Sequence, residues 1–360
     1  MLDLSAYLFN GDSPDVFPLL SPVGGACVVF AMCLLFGLLW RNRSARGTGC
    51  RPDEPFRGQA EARITSLVVY PIKSCAGIEV QEAKLGTRGL EMDRLWMVVN
   101  RSGRFMSQRR CAKMALISPS LPKSEDEPLI LSAPGKTSIK VPVARKVGSG
   151  GPEAGGKLLE VEIWRDTCRA IDQGDAVASW LSDFLETENL RLVRMKDGFV
   201  RPTSPEYGRG FETGFSDGFA MLLVADESLE ELNSRMPDDE VIGMDRFRPN
   251  IVVRGWGAFA EDNWTKIKTG AIVMRLPKPC SRCVVPSTNQ STLERRAEPR
   301  RTLSTFRAGS QVVQWNESWA NDVFFGMNVQ HEKKGVLRVG DVVEVLRVAK
   351  PKTKSGLKKA

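Results

Sequence analysis

The positions of apolar and polar residues along the chain predict short β-strands joined by turns. Residues 63–70 (RITSLVVY) and 95–99 (LWMVV) are rich in β-branched and apolar side chains, which favour strands. The turn at residues 100–103 predicts a hairpin whose return begins at Phe105. Further strands are predicted over residues 129–131, 138–143, 158–164, 219–224, 251–253, 271–276 and 342–346. Up to about residue 190, this pattern is typical of a small barrel.

Two segments carry apolar residues at helical spacing. Residues 176–185 predict an amphipathic helix, and a second helix is predicted over residues 228–235, with Asp226 as its N-cap. Residues 196–214 are polar, rich in glycine and without periodicity, so we expect a mobile loop that overhangs a site. Residues 147–156 predict a flexible insertion in a hairpin. The expected fold class is mainly β with some α (α+β), in two β-rich domains.

One long apolar run stands apart from these elements. Val23–Trp40 contains eighteen residues without a charge. As a helix it would measure about 27 Å, close to the ~30 Å hydrocarbon core of a bilayer. Arg41, Arg43 and Arg46 follow at once and only acids precede the run, so the body is expected to face the cytosol. A cleaved secretory signal is the alternative, but such a signal has a positively charged N-terminal region, and the residues before this run carry only acids. The run therefore predicts a single-pass membrane anchor.

Composition and charge narrow the class of protein. The chain has 360 residues, 42% hydrophobic and 26% charged, which is ordinary for a globular protein. Its net charge of +8 is unevenly placed, with −3 in residues 1–40, +3 in residues 41–57 and +5 in residues 350–360. The body carries the remaining +3. Because a nucleic-acid-binding protein usually has a basic stripe on its folded domain, no nucleic-acid partner is predicted.

Histidine and cysteine limit the metal chemistry. The single histidine, His331, excludes any site that needs two histidines. Eight cysteines in 360 residues do not form a disulfide framework, which favours a reducing compartment for the body. Cys280 and Cys283 form the one CxxC motif, and a zinc ribbon would need a second pair.

Three other interpretations of the CxxC motif stay open. A thioredoxin-like dithiol would open a helix, which the Val-Val-Pro that follows does not favour. A single thiolate ligand to a soft metal is favoured by Arg282 and Lys278, because nearby positive charge lowers the pKa of a thiol. The third interpretation is a pair of buried cysteines without a chemical role.

Basic and polar residues recur at the ends of predicted strands. They lie in four segments, residues 70–75, 92–96, 215–217 and 246–250. Guanidinium and ammonium groups form charge-assisted hydrogen bonds with phosphate, so together the segments predict a site for an anionic ligand. A solvated base is the alternative for each segment alone. The chain has no P-loop and no GxGxxG motif, so nucleotide binding is not predicted.

These segments belong to an ordered set of motifs. The set is YPIKSC, DRLW, FSDGF, SLEELNSR, RFRPNIVV, AEDNW, KPCSRC and VGDVVEVL. Over residues 62–347 it resembles the MOSC-domain proteins with an N-terminal MOSC β-barrel domain, of the mitochondrial amidoxime-reducing type. With the apolar run, this resemblance divides the chain into an N-terminal segment (1–22), a transmembrane anchor (23–40), a linker (41–61), the MOSC N-terminal β-barrel domain (62–192), the MOSC domain (193–348) and a basic tail (349–360).

The resemblance implies a molybdenum enzyme whose molybdopterin cofactor lies between the two domains. Cys283 matches the thiolate that binds molybdenum, and Asp217 matches an acid close to the metal that moves protons. The residues that match the groups around the pterin and its phosphate are Lys73, Ser74, Arg94, Arg248, Asn250, Ser281 and Arg282. Gly218 and Phe219 depart from the family, whose members carry hydroxyl residues there, so contacts made by those side chains are lost or replaced.

The resemblance also implies a reaction and partners. The family reduces small N-hydroxylated compounds such as amidoximes and hydroxylamines, and nitrite or nitrate reduction is compatible with the same centre. The chain has no flavin, haem or nicotinamide motif, so electrons come from outside, in the family from cytochrome b5 and its NADH-dependent reductase. The implied location is the mitochondrial outer membrane. Two alternatives stay open: a molybdenum-cofactor carrier without turnover, and sulfur transfer, although the body leaves no room for the pyridoxal-phosphate domain of the cofactor sulfurases.

Overall fold

The computed structural model describes residues 61–122, 127–142, 156–312 and 319–349. Within these ranges the strands are β1 (Ala62–Val69), β2 (Ile78–Val80), β3 (Glu82–Leu85), β4 (Trp96–Val99), β5 (Ser118–Ser120), β6 (Leu129–Ala133), β7 (Lys136–Val141), β8 (Leu158–Ile163), β9 (Asp166–Asp172), β10 (Arg191–Met195), β11 (Met221–Ala225), β12 (Ile251–Arg254), β13 (Trp264–Thr269), β14 (Ile272–Ser281), β15 (Phe324–His331), β16 (Gly335–Arg338) and β17 (Val342–Val348). The helices are α1 (Asp175–Leu185), α2 (Asp226–Ser234), α3 (Arg300–Phe306) and α4 (Gly309–Val312).

Five predicted segments lie wholly or almost wholly outside the described residues. They are the N-terminal segment (1–22), the anchor Val23–Trp40, the linker up to residue 60, nearly all of residues 147–156, and the basic tail from residue 350 onwards. Within the four described ranges, no helix combines the length and the hydropathy needed to cross a membrane.

Seven of the strands close into a barrel. Their order is β1, β12, β11, β15, β14, β13 and β17, and β17 pairs again with β1. Neighbours are antiparallel except β11 and β12, which are parallel and connected through α2. Because successive side chains of a strand point to opposite faces, Ala62 and Ile64 of β1 both turn into the apolar core. An irregularity in the β1–β12 register between Ile64 and Ser66 brings Leu67 to the same face. This core positions the strand ends from which the candidate site is built.

The rest of the N-terminal part forms open sheets. A four-stranded sheet has the order β4, β10, β9 and β8, and a three-stranded sheet has the order β5, β6 and β7. This corrects the expectation that residues 62–192 close a barrel of their own. The reason is that β1 pairs with strands far along the chain, since Leu67 lies opposite Ile251 and Ala62 lies opposite Val343. The expected class, mainly β with a few helices, is confirmed.

The two predicted helices are present, and both begin earlier than predicted. α1 begins at Asp175, one residue before its predicted start. α2 begins at Asp226, so the predicted N-cap is wrong and Asp226 is the first helical residue, without a side-chain cap. Its carboxylate is engaged elsewhere, because it accepts a hydrogen bond from Thr65 Oγ1 (2.7 Å) and lies 3.4 Å from Arg254 Nε.

Two predicted boundaries near the chemistry also change. The turn at residues 100–103 forms, but its return arm is a single antiparallel bridge between Val99 and Phe105. β14 continues to Ser281, five residues beyond its predicted end, so Cys280 lies within the strand and Cys283 just after it. A short 3-10 turn follows at Val285–Ser287, in agreement with the expectation that the CxxC motif does not open an α-helix.

Candidate functional site

The candidate site is a cleft at which strand ends meet. β1 and β12 are antiparallel, so the segment after β1 lies beside the segment before β12. β11 and β12 are parallel, so their starts lie side by side. All nine residues singled out from the sequence line this cleft: Lys73, Ser74, Arg94, Asp217, Arg248, Asn250, Ser281, Arg282 and Cys283. The cleft is open to solvent and encloses about 170 Å³.

A buried carboxylate organises one wall of the cleft. Asp93 is 4% exposed, and its Oδ1 accepts hydrogen bonds from Arg94 Nη1 (2.8 Å) and Asn250 Nδ2 (2.9 Å). The backbone N–H of Tyr70 donates to the same oxygen (2.8 Å). Asn250 Oδ1 accepts a further bond from Arg94 Nη1 (2.9 Å), and Asn250 Nδ2 donates to the carbonyl of Val68 (3.0 Å). Both atoms of the Asn250 amide are therefore bonded within the protein, and Asn250 positions the guanidinium of Arg94.

Two guanidinium groups lie over the ring of Tyr70. Arg94 is 4.2 Å and Arg248 is 4.3 Å from the ring centroid. Burial raises the pKa of Tyr70 to about 12, so its phenol is neutral. Burial also lowers the pKa of Arg248, but a guanidinium remains charged at neutral pH. Two positive charges are therefore held close together, which favours an anionic ligand.

Three buried polar atoms of the lining have no hydrogen-bond partner among the described residues. They are Arg248 Nη2, Arg282 Nε and Gln108 Oε1. A buried polar atom left unsatisfied costs about 1–3 kcal/mol. The two free guanidinium donors therefore favour a ligand that brings acceptor oxygens, and the free amide oxygen of Gln108 favours one that also brings a donor. A phosphate attached to a polar ring system meets both requirements.

The backbone is strained at three of the nine residues. The φ angle is +68° at Ser74, +44° at Arg94 and +56° at Arg248. Residues other than glycine rarely adopt this left-handed conformation, and where they do the surrounding structure must hold them. Gln108 Nε2 donates to the carbonyl of Ser74 (2.9 Å), and Arg94 Nη2 donates to the carbonyl of Arg248 (3.2 Å). Strain of this kind concentrates at functional sites.

An ion pair contributes the one acid of the nine residues. Lys73 Nζ lies 2.5 Å from Asp217 Oδ1 and donates to the carbonyl of Phe215 (3.0 Å). Burial lowers the pKa of Lys73, and Asp217 opposes that shift. Burial acts to raise the pKa of Asp217, but the charge and hydrogen bond of Lys73 outweigh it and hold that pKa well below its usual range. Because the Asp217 side chain is 61% exposed and that of Lys73 only 7%, an ionised carboxylate faces the cleft.

A buried arginine that the sequence did not single out fixes the segment around Asp217. Arg201 is 4% exposed, and its Nη1 donates to the carbonyls of Gly214 (2.8 Å) and Ser216 (2.6 Å). Its Nη2 donates to the carbonyl of Asp217 (3.3 Å). Arg201 lies within residues 196–214, which have no helix or strand in the structure. The mobility expected for this segment stays a prediction, but the guanidinium ties the segment to the cleft.

Three further residues beside Asp217 were also missed. Trp164 Nε1 donates to Asp217 Oδ1 (3.1 Å), and Arg109 Nη2 lies 3.6 Å from Asp217 Oδ2. The ring of Phe105 lies 5.0 Å from that of Trp164. Trp164 occupies the turn between β8 and β9, whereas the sequence predicts it as the last residue of a strand over residues 158–164, where an aromatic side chain is ordinary. Its role therefore has no signal in the sequence.

The two cysteines of the CxxC motif have different surroundings. Cys280 Sγ accepts a hydrogen bond from Arg282 Nη1 (3.1 Å), and Cys283 Sγ accepts one from the backbone N–H of Val285 (3.5 Å). Both thiols are free and line the cleft. Among the described residues, no group of three or more His, Cys, Asp or Glu side chains is placed to hold a metal ion, so the zinc-ribbon interpretation has no support there.

Gly218 leaves space in the lining. A Cβ added at Gly218 would meet no atom within 4 Å. The neighbouring Phe219 also lines the cleft, and its ring lies 6.0 Å from that of Tyr207. The departure noted in the sequence thus corresponds to a place where a side chain would fit.

Comparison with known proteins identifies the family. The model of the MOSC N-terminal beta barrel domain matches residues 61–188, and that of the MOSC domain matches residues 211–344. The chain belongs to the MOSC-domain family. The "Mitochondrial amidoxime-reducing component 1" of Mus musculus is 30% identical over 333 residues, which cover 90% of this MOSC protein and 92% of the relative. The "Mitochondrial amidoxime reducing component 2" of Rattus norvegicus is 32% identical over 332 residues, which cover 89% and 92%.

A relative with a different name is also similar. The "Molybdenum cofactor sulfurase" of Drosophila willistoni is 31% identical over 247 residues, which cover 69% of this MOSC protein but 30% of the sulfurase. The names of the relatives thus connect the family with molybdenum cofactor and with amidoxime reduction. The choice between these activities rests on the cleft.

Proposed function

We propose that this MOSC protein is a molybdenum-cofactor-dependent reductase of N-hydroxylated compounds, including amidoximes and hydroxylamines. The observation that carries the proposal is a single cleft with two free thiols, unsatisfied guanidinium donors and an ionised carboxylate. Names of relatives similar over about nine tenths of the chain support the substrate class. The reaction breaks an N–O bond, consumes two electrons and two protons, and releases the amidine or amine and water.

The residues of the cleft fit a phosphorylated pterin whose molybdenum would be bound by a cysteine thiolate. Arg248 Nη2 and Arg282 Nε are free donors for phosphate oxygens, and Gln108 Oε1 is a free acceptor for a ring N–H. Cys283 would supply the thiolate, a soft ligand suited to a thiophilic metal. Bound molybdenum supplies two-electron oxygen-atom chemistry. The other proposed contacts are Lys73, Ser74, Arg94, Asn250 and Ser281.

The Lys73–Asp217 pair provides the route for a proton. Asp217 is ionised at neutral pH, so it is an acceptor in the resting protein and the proton of the pair resides on Lys73. Burial makes Lys73 more acidic than an ordinary lysine. We assign Lys73 as the proton source and Asp217 as the group that passes the proton to the departing oxygen, because the Asp217 side chain is far more exposed to the cleft than that of Lys73.

The same proposal includes the electron donor and the location. Cytochrome b5 and its NADH-dependent reductase would deliver the electrons, and Val23–Trp40 would anchor the protein with its body in the cytosol. The relatives' names support a mitochondrial location, for which we propose the outer membrane. An anchor would raise the effective concentration of the three proteins on one surface.

Metal analysis and turnover of the full chain test the proposal. The protein is made in a host that synthesises the cofactor, and benzamidoxime reduction is measured with cytochrome b5, its reductase and NADH. We expect molybdenum near one per chain and turnover, with both lost in Cys283→Ala. Cys168→Ala is the control, because Cys168 is a buried thiol of β9 outside the cleft lining and should keep both. Full molybdenum and activity in Cys283→Ala would refute the assignment.

One observation favours a second candidate, sulfur transfer. Cys280 Sγ accepts a hydrogen bond from Arg282, which would stabilise an anionic sulfur. If the purified protein carried an extra sulfur atom on Cys280 or Cys283 by intact-mass measurement, and no turnover occurred with the complete electron chain, sulfur transfer would replace reduction. A bound pterin without turnover and without extra sulfur would indicate a cofactor carrier.

A further inference from the structure

The turn between β8 and β9 places an indole at a backbone position that favours glycine. Trp164 has φ +57°, a left-handed conformation that bulky residues rarely adopt. Its side chain is also unusual for an aromatic residue, because Trp164 is 43% exposed. Neither the turn nor the core explains why tryptophan stands here, so its use must lie in what the indole contacts.

The indole contacts three residues that line the cleft. Its Nε1 donates to Asp217 Oδ1 (3.1 Å). Its ring centroid lies 5.0 Å from that of Phe105 with an interplanar angle of 52°, and the Arg109 guanidinium lies 4.5 Å from it. Lys73 lies 5.5 Å from the ring of Phe105, so the aromatic pair also adjoins the ion pair. Trp164 is thus the outer member of an aromatic group built around the carboxylate.

The hydrogen bond fixes where this aromatic group stands relative to the reacting centre. The same Asp217 Oδ1 accepts from Trp164 and from Lys73, so the indole is held beside the proton route. Phe105 lines the cleft, and Trp164 lies just outside the lining, in contact with it. A flat substrate that rests against Phe105 and extends onto Trp164 would bring its N–OH group towards that carboxylate. A substrate with only a small alkyl group would gain little from the aromatic surface.

We propose that Trp164 is a specificity-determining residue that favours substrates whose N–OH-bearing carbon is joined to a planar aromatic ring. The inference rests on the proposed function, since it extends the same cleft from a chemical group to a substrate class. One aromatic pair changes affinity by about 3- to 10-fold. The expected discrimination between aryl and alkyl substrates is of that size.

The test compares two substrates with the same reactive group. Benzamidoxime carries an aryl ring and acetamidoxime carries a methyl group. For each, KM and kcat are measured with the full-length holoenzyme and its electron chain, and Kd is measured by calorimetry on the oxidised holoenzyme. The variants are Trp164→Gly, which suits the backbone conformation, and Trp164→Phe, which keeps a ring but loses the N–H. Asn189→Gly is the matched control, because Asn189 is an exposed residue with φ +58° in the turn after α1, away from the Asp217 and Phe105 contacts that Trp164 makes.

We expect Trp164→Gly to raise both KM and Kd for benzamidoxime about 3- to 10-fold and to leave those for acetamidoxime unchanged. Trp164→Phe should keep most of the aryl preference but change the pH profile of kcat, because Asp217 loses a donor. Asn189→Gly should leave KM and Kd unchanged for both substrates. Equal changes for the two substrates, or none, would overturn the inference.

The two proposals fail in different ways. If the wild-type holoenzyme reduces neither compound, the proposed reductase function is refuted, and the calorimetric comparison still decides the role of Trp164. A wild-type Kd that is the same for both compounds would refute the role of Trp164 while turnover of either compound would support the reductase.

Discussion

Replacing Arg201 by methionine removes four hydrogen bonds from one buried side chain. The guanidinium donates to the carbonyls of Gly214, Ser216 and Asp217, and its Nε donates to Asp166 Oδ2 (2.7 Å). Methionine has a similar length and fills the space, but it offers no donor. The segment that presents the Asp217 carboxylate would then lose the group that fixes its backbone.

The structure sets the size of the effect. Breaking a buried charged interaction typically costs about 3–5 kcal/mol, mainly because a partner is left without compensation. In the variant, the Asp166 carboxylate would be hydrated, because it is 48% exposed, and it would add little to the loss of stability. The carbonyl of Gly214 is buried and would be left without its donor. An orphaned buried carbonyl costs about 1–3 kcal/mol. We therefore expect Arg201→Met to lower the free energy of unfolding by about 3 kcal/mol, and Tm by roughly 5–10 °C.

Activity provides the second measurement. With Asp217 no longer held, kcat for benzamidoxime per bound molybdenum should fall about tenfold or more, the scale of a positioned proton-transfer group. Arg201→Lys keeps the positive charge and some of the hydrogen bonds. Its Tm and kcat should therefore lie between those of the wild type and those of Arg201→Met. Arg194→Met is the control, because Arg194 is equally buried at 5% exposure but pairs with Asp197 away from the cleft. It should lose stability without losing kcat. An Arg201→Met protein with wild-type Tm and kcat would refute the reasoning.

Three other predictions follow from the same structure. Lys73→Met removes the charge and the hydrogen bond that hold the pKa of Asp217 low, so the acid limb of the kcat profile should move to higher pH; an unmoved limb would contradict the assigned ion pair. Gly218→Ser places a Cβ in open space, so we expect unchanged Tm and slower loss of molybdenum on dialysis, and a lower Tm would show that the space is not free. Burial raises the pKa of Glu261 to about 7, above the ~4.3 of an unfolded chain, so the folded state binds the extra proton between those values and loses stability as pH rises through them. Glu261→Gln should therefore reduce the difference in Tm between about pH 5 and pH 8, and an undiminished difference would place its cause elsewhere.

Local pattern was sufficient to predict most strands but not their partners. The alternation along β1 is visible in the sequence, because a strand with one buried face repeats every two residues. Its pairing with Ile251 and Val343 is not visible, since nothing local to β1 specifies a partner so far along the chain. The same reason explains why residues 62–192 were expected to close a barrel alone. The length of β14 was missed because two prolines, Pro277 and Pro279, interrupt the strand pattern.

The candidate site also has a part that the sequence predicts and a part that it does not. Its nine candidate residues came from motifs whose order along the chain is specific, and the structure gathers them in one cleft. Arg201 was not among them because its acceptors are mostly backbone carbonyls, which carry no sequence signature. Its polar and glycine-rich surroundings suggested a mobile loop. Trp164 escaped because its partners, Asp217 and Arg109, are brought to it by the tertiary fold.

Asn250 connects the barrel to the site. The backbone of Asn250 accepts from the N–H of Val68 at the end of β1 (3.0 Å) and donates to the carbonyl of Leu222 in β11 (2.8 Å). Its side chain binds the same two residues and also Arg94 and Asp93. A change at Asn250 should therefore weaken the barrel and the cationic wall together.

Cys283 stands in a different relation to the fold. It follows the last residue of β14, and its sulfur accepts one hydrogen bond, from the backbone of Val285. No strand of the barrel depends on that contact. Loss of the Cys283 thiol should therefore remove the proposed metal ligand and leave the fold intact, whereas loss of the Asn250 amide should lower stability even before a ligand is considered. The cleft thus combines a wall that is part of the barrel with a thiol that is independent of it.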